Sequence, residues 1–323
     1  MTIGGAVIWA VVFGMAVYAV IGKNRPQSAY FTDRFILAGG VIFPTVVLAA
    51  LLVFSLRLLP DWRGTESADL RIHVTGEQFW WRVRYEDLAP MRASAQPGAT
   101  PNRPFGPSQD PGLAPPDPSR PPLPPPSTRL NSFETANQLY LPQGRLVEFA
   151  LTAEDVIHSF WVPALGGKLD MIPGRTNILR LRPDTVGVFR GVCAEFCGLS
   201  HALMAFEVHV IEPEEFDAWH EAEAAPARPE TEAERGLALF TRAGCAACHQ
   251  LRGLAEQGSI GPDLTHFAAR SQFGAGTLPL TREALRDWLI RPQTLKPGAR
   301  MPGYADLPAD ELEILVNFLM GLK

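Results

Sequence analysis

Four side chains with metal-binding atoms lie within twelve consecutive residues, 193–204: Cys193, Cys197, His201 and Met204. Two thiols, an imidazole and a thioether form a soft to borderline donor set that selects copper over cations preferring oxygen, and a thioether is the weak axial ligand typical of copper electron-transfer sites. A site with one copper ion needs one thiolate, whereas two cysteines four residues apart can bridge two metal ions. Each copper ion then needs its own nitrogen ligand, and His158 is the second candidate.

A disulfide between Cys193 and Cys197 is the alternative interpretation, because an oxidising compartment would permit it. A disulfide leaves the spacing of His201 and Met204 unexplained, so the pattern favours a metal site.

A second motif, Cys245-Ala-Ala-Cys248-His249, is typical of covalent attachment of a c-type haem. Thiols three residues apart reach the two haem vinyl groups and leave the next imidazole under the iron. We predict Met301 as the sixth ligand, because a thioether raises the reduction potential as electron transport requires. The alternative, half of a zinc site, lacks a second ligand pair.

Two apolar stretches precede these motifs. Residues 1–22 and 35–56 carry no charged side chain, and each is long enough to cross the hydrocarbon core of a bilayer as a helix. A cleaved signal is the alternative for the first, but it has no basic n-region and its apolar run is long. The intervening loop carries Lys23, Arg25 and Arg34, which predicts a cytoplasmic loop and both termini outside.

Alternating polar and apolar residues indicate strands around the copper-type motif. Residues 70–86 form one such segment, and shorter ones separated by turn residues lie at 138–141, 146–151, 176–181, 186–192 and 205–211. Many short strands with turn signals predict a Greek-key β-barrel or sandwich, with the metal loop between the last two strands.

After residue 212 the apolar residues no longer alternate with polar ones but recur with the spacing of a helix. We expect a short helix and a linker up to residue 230, then a helix over 231–240 with Thr231 as its N-cap and Glu234 in a capping box. The last helix carries an apolar stripe with the spacing i, i+3, i+4, i+7, formed by Leu312, Leu315, Val316 and Leu319.

Composition sets further bounds. The net charge is -5, and residues 61–226 carry 22 acidic against 14 basic side chains. Because Lys and Arg are not clustered, the sequence does not predict nucleic-acid binding. An acidic copper domain suits a basic electron donor, and the alternative is a solvated face. Residues 89–129 hold 14 of the 30 prolines and are expected to form a polyproline-type or disordered insertion.

The segment 193–204 resembles the binuclear copper A loop of subunit II of haem-copper cytochrome c oxidases. The resemblance implies that Cys193 and Cys197 bridge both coppers, that His158 and His201 bind one each, and that Met204 and the carbonyl of Glu195 are weak ligands. It also implies a magnesium ion, shared with subunit I, at the Glu195 carboxylate.

The rest of the chain fits the same resemblance. It implies a transmembrane helix hairpin at 1–60, a cupredoxin-like barrel at 61–220 with the insertion 89–129, a linker at 221–230, and an all-α class I cytochrome c domain at 231–323. Leu37 stands where many family members have a glutamate at a proton-channel entrance, so proton uptake by that route is not expected; Asp33 is a possible substitute.

The implied function is electron transfer from a cytochrome donor through haem c and copper A to a catalytic subunit that reduces oxygen, in the bacterial plasma membrane with both redox domains outside. In the family the corresponding segment usually reads Gln-Trp-x-Trp, and its first Trp accepts electrons from cytochrome c. Here that position is Phe79, so direct docking of an external cytochrome on the copper domain is less expected, although Trp80 or Trp81 could serve. The alternative is that these three aromatic residues form a barrel rim. Alternatives are a copper A subunit of a nitric oxide reductase and a free-standing, membrane-tethered electron carrier or copper-binding protein.

Overall fold

The structure, a computed structural model, describes residues 2–21, 29–58, 68–86, 132–230 and 232–323. The predicted proline-rich insertion and Thr231 lie outside these ranges, as does most of the predicted cytoplasmic loop. The chain divides into two compact units, residues 1–65 and 66–323.

The first unit consists of apolar helices. Helix α1 spans Thr2–Ile21, and a second helical run comprises α2 (Ala29–Leu37), a π-helical segment (Ala38–Ile42) and α3 (Phe43–Leu58). Pro44 has no N–H to donate to the carbonyl four residues earlier, which accounts for the widened turn in front of it. By length and composition, Gly4–Ile21 and Asp33–Arg57 can each cross a membrane, as predicted.

The second unit begins with two five-stranded sheets. The first has the strand order β3-β2-β1-β5-β8, and the second β4-β10-β9-β6-β7. Strands β1 and β5 pair in parallel, as do β4 and β10, which produces the crossed connections of a cupredoxin-like sandwich. The strands are β1 (Leu70–Glu77), β2 (Trp80–Tyr85), β3 (Phe133–Ala136), β4 (Gln138–Pro142), β5 (Val147–Ala153), β6 (His158–Trp161), β7 (Leu169–Met171), β8 (Asn177–Leu181), β9 (Gly187–Cys193) and β10 (Ala205–Ile211).

The apolar residues of the predicted alternating pattern are the ones buried in the structure. In β1, Leu70, Ile72 and Val74 are buried between the sheets while the residues between them are partly exposed. Each such aliphatic side chain contributes roughly 1.5–3 kcal/mol when fully buried. Strands β3, β6 and β7 were not predicted, because runs of three or four residues are too short to show a period.

Helices complete the unit. Helix α4 (Pro213–Ala224) packs on the sheets, with the Trp219 ring stacked 4.2 Å from that of Tyr140. The helices that follow are α5 (Ala233–Arg242), α6 (Arg282–Ile290), α7 (Pro292–Leu295) and α8 (Ala309–Leu319), and a two-stranded sheet is formed by β11 (Gln272–Phe273) and β12 (Leu278–Pro279). Helix α5 begins at Ala233, with Glu232 rather than Thr231 in the N-cap position.

Helices α5 and α8 pack closely together. A Cβ atom on Gly236 would lie 2.4 Å from the Phe318 side chain, and the Phe240 and Phe318 rings are 6.0 Å apart. The predicted stripe of α8 is buried. Together the fold comprises two apolar helices, a cupredoxin-like sandwich and a helical cytochrome c domain, which confirms the predicted fold class.

Arg252 connects the sandwich to the helical part. Its guanidinium donates to the carbonyls of Glu134 in β3 (2.8 Å) and Glu223 in α4 (2.5 Å), and to the Asp263 carboxylate (2.8 Å). A charged group with several hydrogen bonds in a partly buried position holds three segments in one arrangement.

We predict that Gly191→Ala destabilises the sandwich. A Cβ atom there would lie 2.1 Å from the Phe206 ring, which packs on Trp81 and Phe160. Overpacking of this kind costs about 1–3 kcal/mol, so the thermal unfolding midpoint of the full chain, followed by the strand signal in circular dichroism, should fall. Gly167→Ala is the control, because no atom lies within 4 Å of its Cβ position. Equal midpoints for the two variants would contradict the packing argument.

Candidate metal centres

The predicted copper ligands lie on the connection between β9 and β10. Cys193 ends β9, and its N–H donates to the carbonyl of Met204 (3.0 Å), so the connection is closed at its base. A 3-10 turn at His201–Leu203 brings the chain back into β10. His158 begins the neighbouring strand β6, which pairs with β9 through Phe160 and Cys193.

These elements bring the predicted donor atoms together. The two sulfur atoms of Cys193 and Cys197 are 3.9 Å apart. Cys193 Sγ lies 3.9 Å from His158 Nδ1, and Cys197 Sγ lies 3.6 Å from His201 Nδ1 and 3.7 Å from Met204 Sδ. A disulfide requires about 2.05 Å between the sulfur atoms, and both cysteines are free. The geometry and chemistry of the donors fit a thiolate-bridged copper site.

His158 is oriented by a carboxylate. Its Nε2 lies 2.9 Å from Asp155 Oδ1, which assigns the ring proton to Nε2 and leaves Nδ1 directed at Cys193. A ligand histidine commonly has its other nitrogen fixed by a carboxylate in this way. Burial disfavours a charged imidazole, but the contacts with Cys193 and Asp155 outweigh it and raise the pKa of His158.

The two thiols differ electrostatically. Their mutual hydrogen bond lowers the pKa of Cys193 far below the usual thiol range, with further lowering by hydrogen bonds from His158 and from the backbone at Glu195. The same bond and burial raise the pKa of Cys197. The pair therefore holds one thiolate readily, and a metal cation would supply the charge needed to deprotonate the second.

Glu195 contributes its two predicted groups differently. Its carbonyl oxygen lies 3.2 Å from Cys193 Sγ, within the donor cluster. Glu195 as a whole is exposed, so its carboxylate is accessible to solvent. The magnesium site at this carboxylate remains a prediction.

Gly198 is required by the shape of the copper loop. It has φ of 128°, and a Cβ atom would lie 2.9 Å from Gln78 Nε2 and 3.0 Å from the Phe79 ring. Gln78 Nε2 also donates a hydrogen bond to the Cys197 carbonyl (2.5 Å), so the turn after β1 helps to fix the backbone of the copper loop.

The haem-attachment motif forms a 3-10 turn at Cys245–Ala247, and the His249 N–H donates to the Cys245 carbonyl (2.9 Å). His249 Nδ1 lies 2.7 Å from the Pro262 carbonyl, which assigns the proton to Nδ1 and leaves the lone pair of Nε2 available for the predicted haem iron. Burial lowers the pKa of His249, so the ring is neutral, as a metal ligand must be.

The loop before Pro262 lies flat against this imidazole. A Cβ atom on Gly261 would be 2.7 Å from His249 Cε1, and one on Gly258 would be 2.5 Å from the His249 backbone nitrogen. Only glycine permits such close approach at both positions. The residues present therefore fit an imidazole that is held in place to act as the predicted haem ligand.

Met301 packs, partly buried, against the same hydrophobic core as Cys245. Trp288 Nε1 donates to its sulfur atom (3.2 Å), and Gln293 donates to its carbonyl. Trp288 in α6 thus holds the Met301 side chain, and Gln293 in α7 holds its backbone.

The predicted electron-accepting aromatic residues are differently placed. Phe79 is 6% exposed and Trp81 is 1% exposed, the latter in the core beside His158 and Phe206. Trp80 is partly exposed, and the Arg82 guanidinium lies 4.7 Å from its ring centre.

Sequence reasoning missed Asp155, Gln78 and Trp288. Asp155 stands three residues before His158, so a search for acidic residues near a predicted ligand could have found it. Gln78 and Trp288 reach their partners through tertiary contacts that no local spacing shows.

Comparison with known proteins gives the same picture. The family model described as "Cytochrome C oxidase subunit II, periplasmic domain" matches residues 124–211, and the model "Cytochrome c" matches residues 233–323. The chain is 38% identical over 254 residues to cytochrome c oxidase subunit 2 of Alkalihalophilus pseudofirmus, covering 78% of this chain and 61% of that relative. It is 36% identical over 324 residues to cytochrome c oxidase subunit 2 of Bacillus subtilis, covering 94% of this chain and 79% of that relative.

A solved structure is also similar. It is that of the periplasmic domain of subunit II of the cytochrome oxidase of Bradyrhizobium japonicum, with 26% identity, a TM-score of 0.34, and coverage of 50% of this chain and 96% of that one.

A cupredoxin-like domain with a copper-type donor cluster, joined to a cytochrome c domain, defines the class of protein. The chain belongs to the cytochrome c oxidase subunit 2 family.

We predict that Asp155→Ala weakens copper binding by about 10–100-fold, the usual effect of removing a group that orients a ligand. The measurement is copper titration of the metal-free full chain against a competing chelator. Asp217→Ala, which removes an exposed partner of Arg145, is the control and should leave affinity unchanged. If both variants bind copper as the wild type does, Asp155 does not orient His158 for a metal.

Proposed function

We propose that this chain is the electron-transfer subunit of a terminal cytochrome c oxidase. It would pass electrons from a cytochrome donor, through its own haem c and a binuclear copper A centre, to a haem-copper catalytic subunit that reduces oxygen to water. The observation that carries the proposal is the convergence of the donor atoms of His158, Cys193, Cys197, His201 and Met204 in a chain that also holds a haem-attachment motif.

The residues have separate tasks in this proposal. Cys193 and Cys197 would bridge the coppers, His158 and His201 would bind one each, and Met204 and the Glu195 carbonyl would be weak ligands. Cys245 and Cys248 would hold the haem covalently, with His249 and Met301 as axial ligands. When bound, both groups supply one-electron redox couples, and oxygen chemistry then belongs to the partner subunit.

Placement in the membrane follows from the apolar helices. We assign residues 1–60 to a hairpin in the bacterial plasma membrane, with the basic loop in the cytoplasm and the copper domain (61–220) and cytochrome domain (231–323) outside. Because Leu37 stands at the family's glutamate position, proton entry by that route is not expected, and Asp33 is the candidate substitute.

We place the contact with the catalytic subunit at the exposed side chains of the copper loop, Phe196 and Leu199. Phe196 is 76% exposed and Leu199 is 81% exposed, and the Phe196 ring lies 5.7 Å from that of His201. Two large apolar side chains exposed beside the predicted copper site support an interaction surface here. The Glu195 carboxylate, on the same face, would share magnesium with subunit I.

Two variants of the purified complex test the proposal. Cys197→Ser should remove the mixed-valence dicopper signal in the paramagnetic resonance spectrum, spare the low-spin haem signal, and reduce oxygen consumption from reduced cytochrome by on the order of a hundredfold or more, because a bridging ligand is lost. Cys248→Ser should disturb the haem and spare the copper signal.

Other outcomes would assign the chain differently. Zinc or a single copper ion at the cluster would exclude copper A. Nitric oxide turnover without oxygen turnover would place the chain in a nitric oxide reductase. Stable purification without a haem-copper subunit would favour a free-standing carrier.

A further inference from the structure

Residues 296–301 of the cytochrome domain, here called the docking segment, lie against the copper loop and end at Met301. Two of these residues, Lys296 and Arg300, contact the copper domain through their side chains, and two others, Pro297 and Gly298, approach it through their backbone. The contacts join the loop that carries the predicted sixth haem ligand to the loop that carries most of the predicted copper ligands.

Lys296 makes the most buried of these contacts. It is 3% exposed, and its Nζ donates to the carbonyl of Leu203 in the copper loop (2.8 Å) and to that of Gly274 in its own domain (2.5 Å). Burial lowers the pKa of Lys296 to about 7. A neutral amine keeps two N–H donors, so both carbonyls can remain bonded in either protonation state.

The next two residues approach the copper loop through their backbone. Ser200 is 1% exposed, and its hydroxyl donates to the Pro297 carbonyl (2.7 Å). Gly298 has φ of 82°, and a Cβ atom would lie 3.0 Å from the Phe79 ring and 3.6 Å from Leu199. Gly298 of the docking segment and Gly198 of the copper loop therefore both lie close to the buried Phe79 ring.

Arg300 adds an ion pair. Its guanidinium lies 3.7 Å from Asp155, the carboxylate that also contacts His158. Arg300 is 70% exposed, so this pair contributes little to stability by itself. The ion pair instead helps to position the segment. Through Asp155 it connects His158, a predicted copper ligand, to the residue next to Met301.

Contacts beside the docking segment fix the same orientation. The Ala205 N–H, directly after Met204, donates to the Ala275 carbonyl (2.9 Å). Glu207 in β10 accepts hydrogen bonds from Ser271 and Gln272. The last strand of the copper domain is thus bonded to the β11–β12 region of the cytochrome domain.

We propose that the docking segment is the internal electron-transfer interface of this chain, and that Lys296 is its main positioning residue. The inference rests on the proposed function, because it assumes that both metal groups are present and exchange electrons. It adds that the cytochrome domain lies against the Phe79 side of the copper loop, and that electrons would pass from haem to copper across this contact.

The test compares Lys296→Met with Lys323→Met in the full chain. The control makes the same substitution at an exposed lysine, which pairs with Glu230 at 3.0 Å. In metal-free protein, hydrogen exchange of the peptide covering residues 198–206 should be about tenfold faster in Lys296→Met than in wild type, as expected for loss of a buried hydrogen bond. Lys323→Met should match the wild type.

In protein loaded with both metals, the haem is reduced rapidly and its reoxidation by copper is followed optically. Transfer should be slower in Lys296→Met, on the order of tenfold, with the haem and copper spectra unchanged. Ser200→Ala should show the same two effects to a smaller degree, and it carries the test if Lys296→Met loses haem.

The results separate the two proposals. Normal exchange and normal transfer in Lys296→Met and Ser200→Ala would overturn the inference while leaving the proposed function intact. A wild-type chain in which reduced haem never reduces copper would overturn the proposed function, and the exchange experiment on metal-free protein would still decide whether the docking segment holds the copper loop.

Discussion

The arrangement of the predicted copper ligands depends on closure of one loop. The bond between the Cys193 N–H and the Met204 carbonyl ends the β9–β10 pairing at the point where the chain departs, so the residues between them form a loop whose two ends cannot separate. Within it, sulfur atoms and ring nitrogens approach one another at 3.6–3.9 Å. Two thiols and two ring nitrogens at these separations can bind a shared cation, and for this reason we interpret the loop as a metal site.

Both predicted centres fix a histidine by the same means. His158 is held through Nε2 by a carboxylate and His249 through Nδ1 by a backbone carbonyl, so each ring presents its opposite nitrogen to the metal position. The choice of acceptor matters electrostatically. At His158, Cys193 and Asp155 outweigh burial and raise the pKa, whereas at His249 burial outweighs the hydrogen bond to the Pro262 carbonyl and lowers the pKa.

Features set by local spacing could be predicted from the sequence. The Cys, His and Met residues of the copper loop, the haem-attachment motif and the stripe on α8 each lie within about twelve residues, so their geometry follows from a strand end, a turn or a helix. Strand β6 could not be predicted, because four residues show no period and its pairing with β9 spans more than thirty residues. The contacts of Lys296 and Arg252 were equally hidden, since an isolated basic residue gives no indication that carbonyls from distant segments will surround it.

Arg252 has a thermodynamic consequence that follows from its three acceptors. It ties β3 of the copper domain and the end of α4 to Asp263, next to the carbonyl that holds His249. Any ligand that orders one side of this junction therefore stabilises the other by linkage, and the coupling free energy is the same in both directions. Under the proposed function, haem attachment and copper uptake would then be coupled steps in the maturation of a single polypeptide.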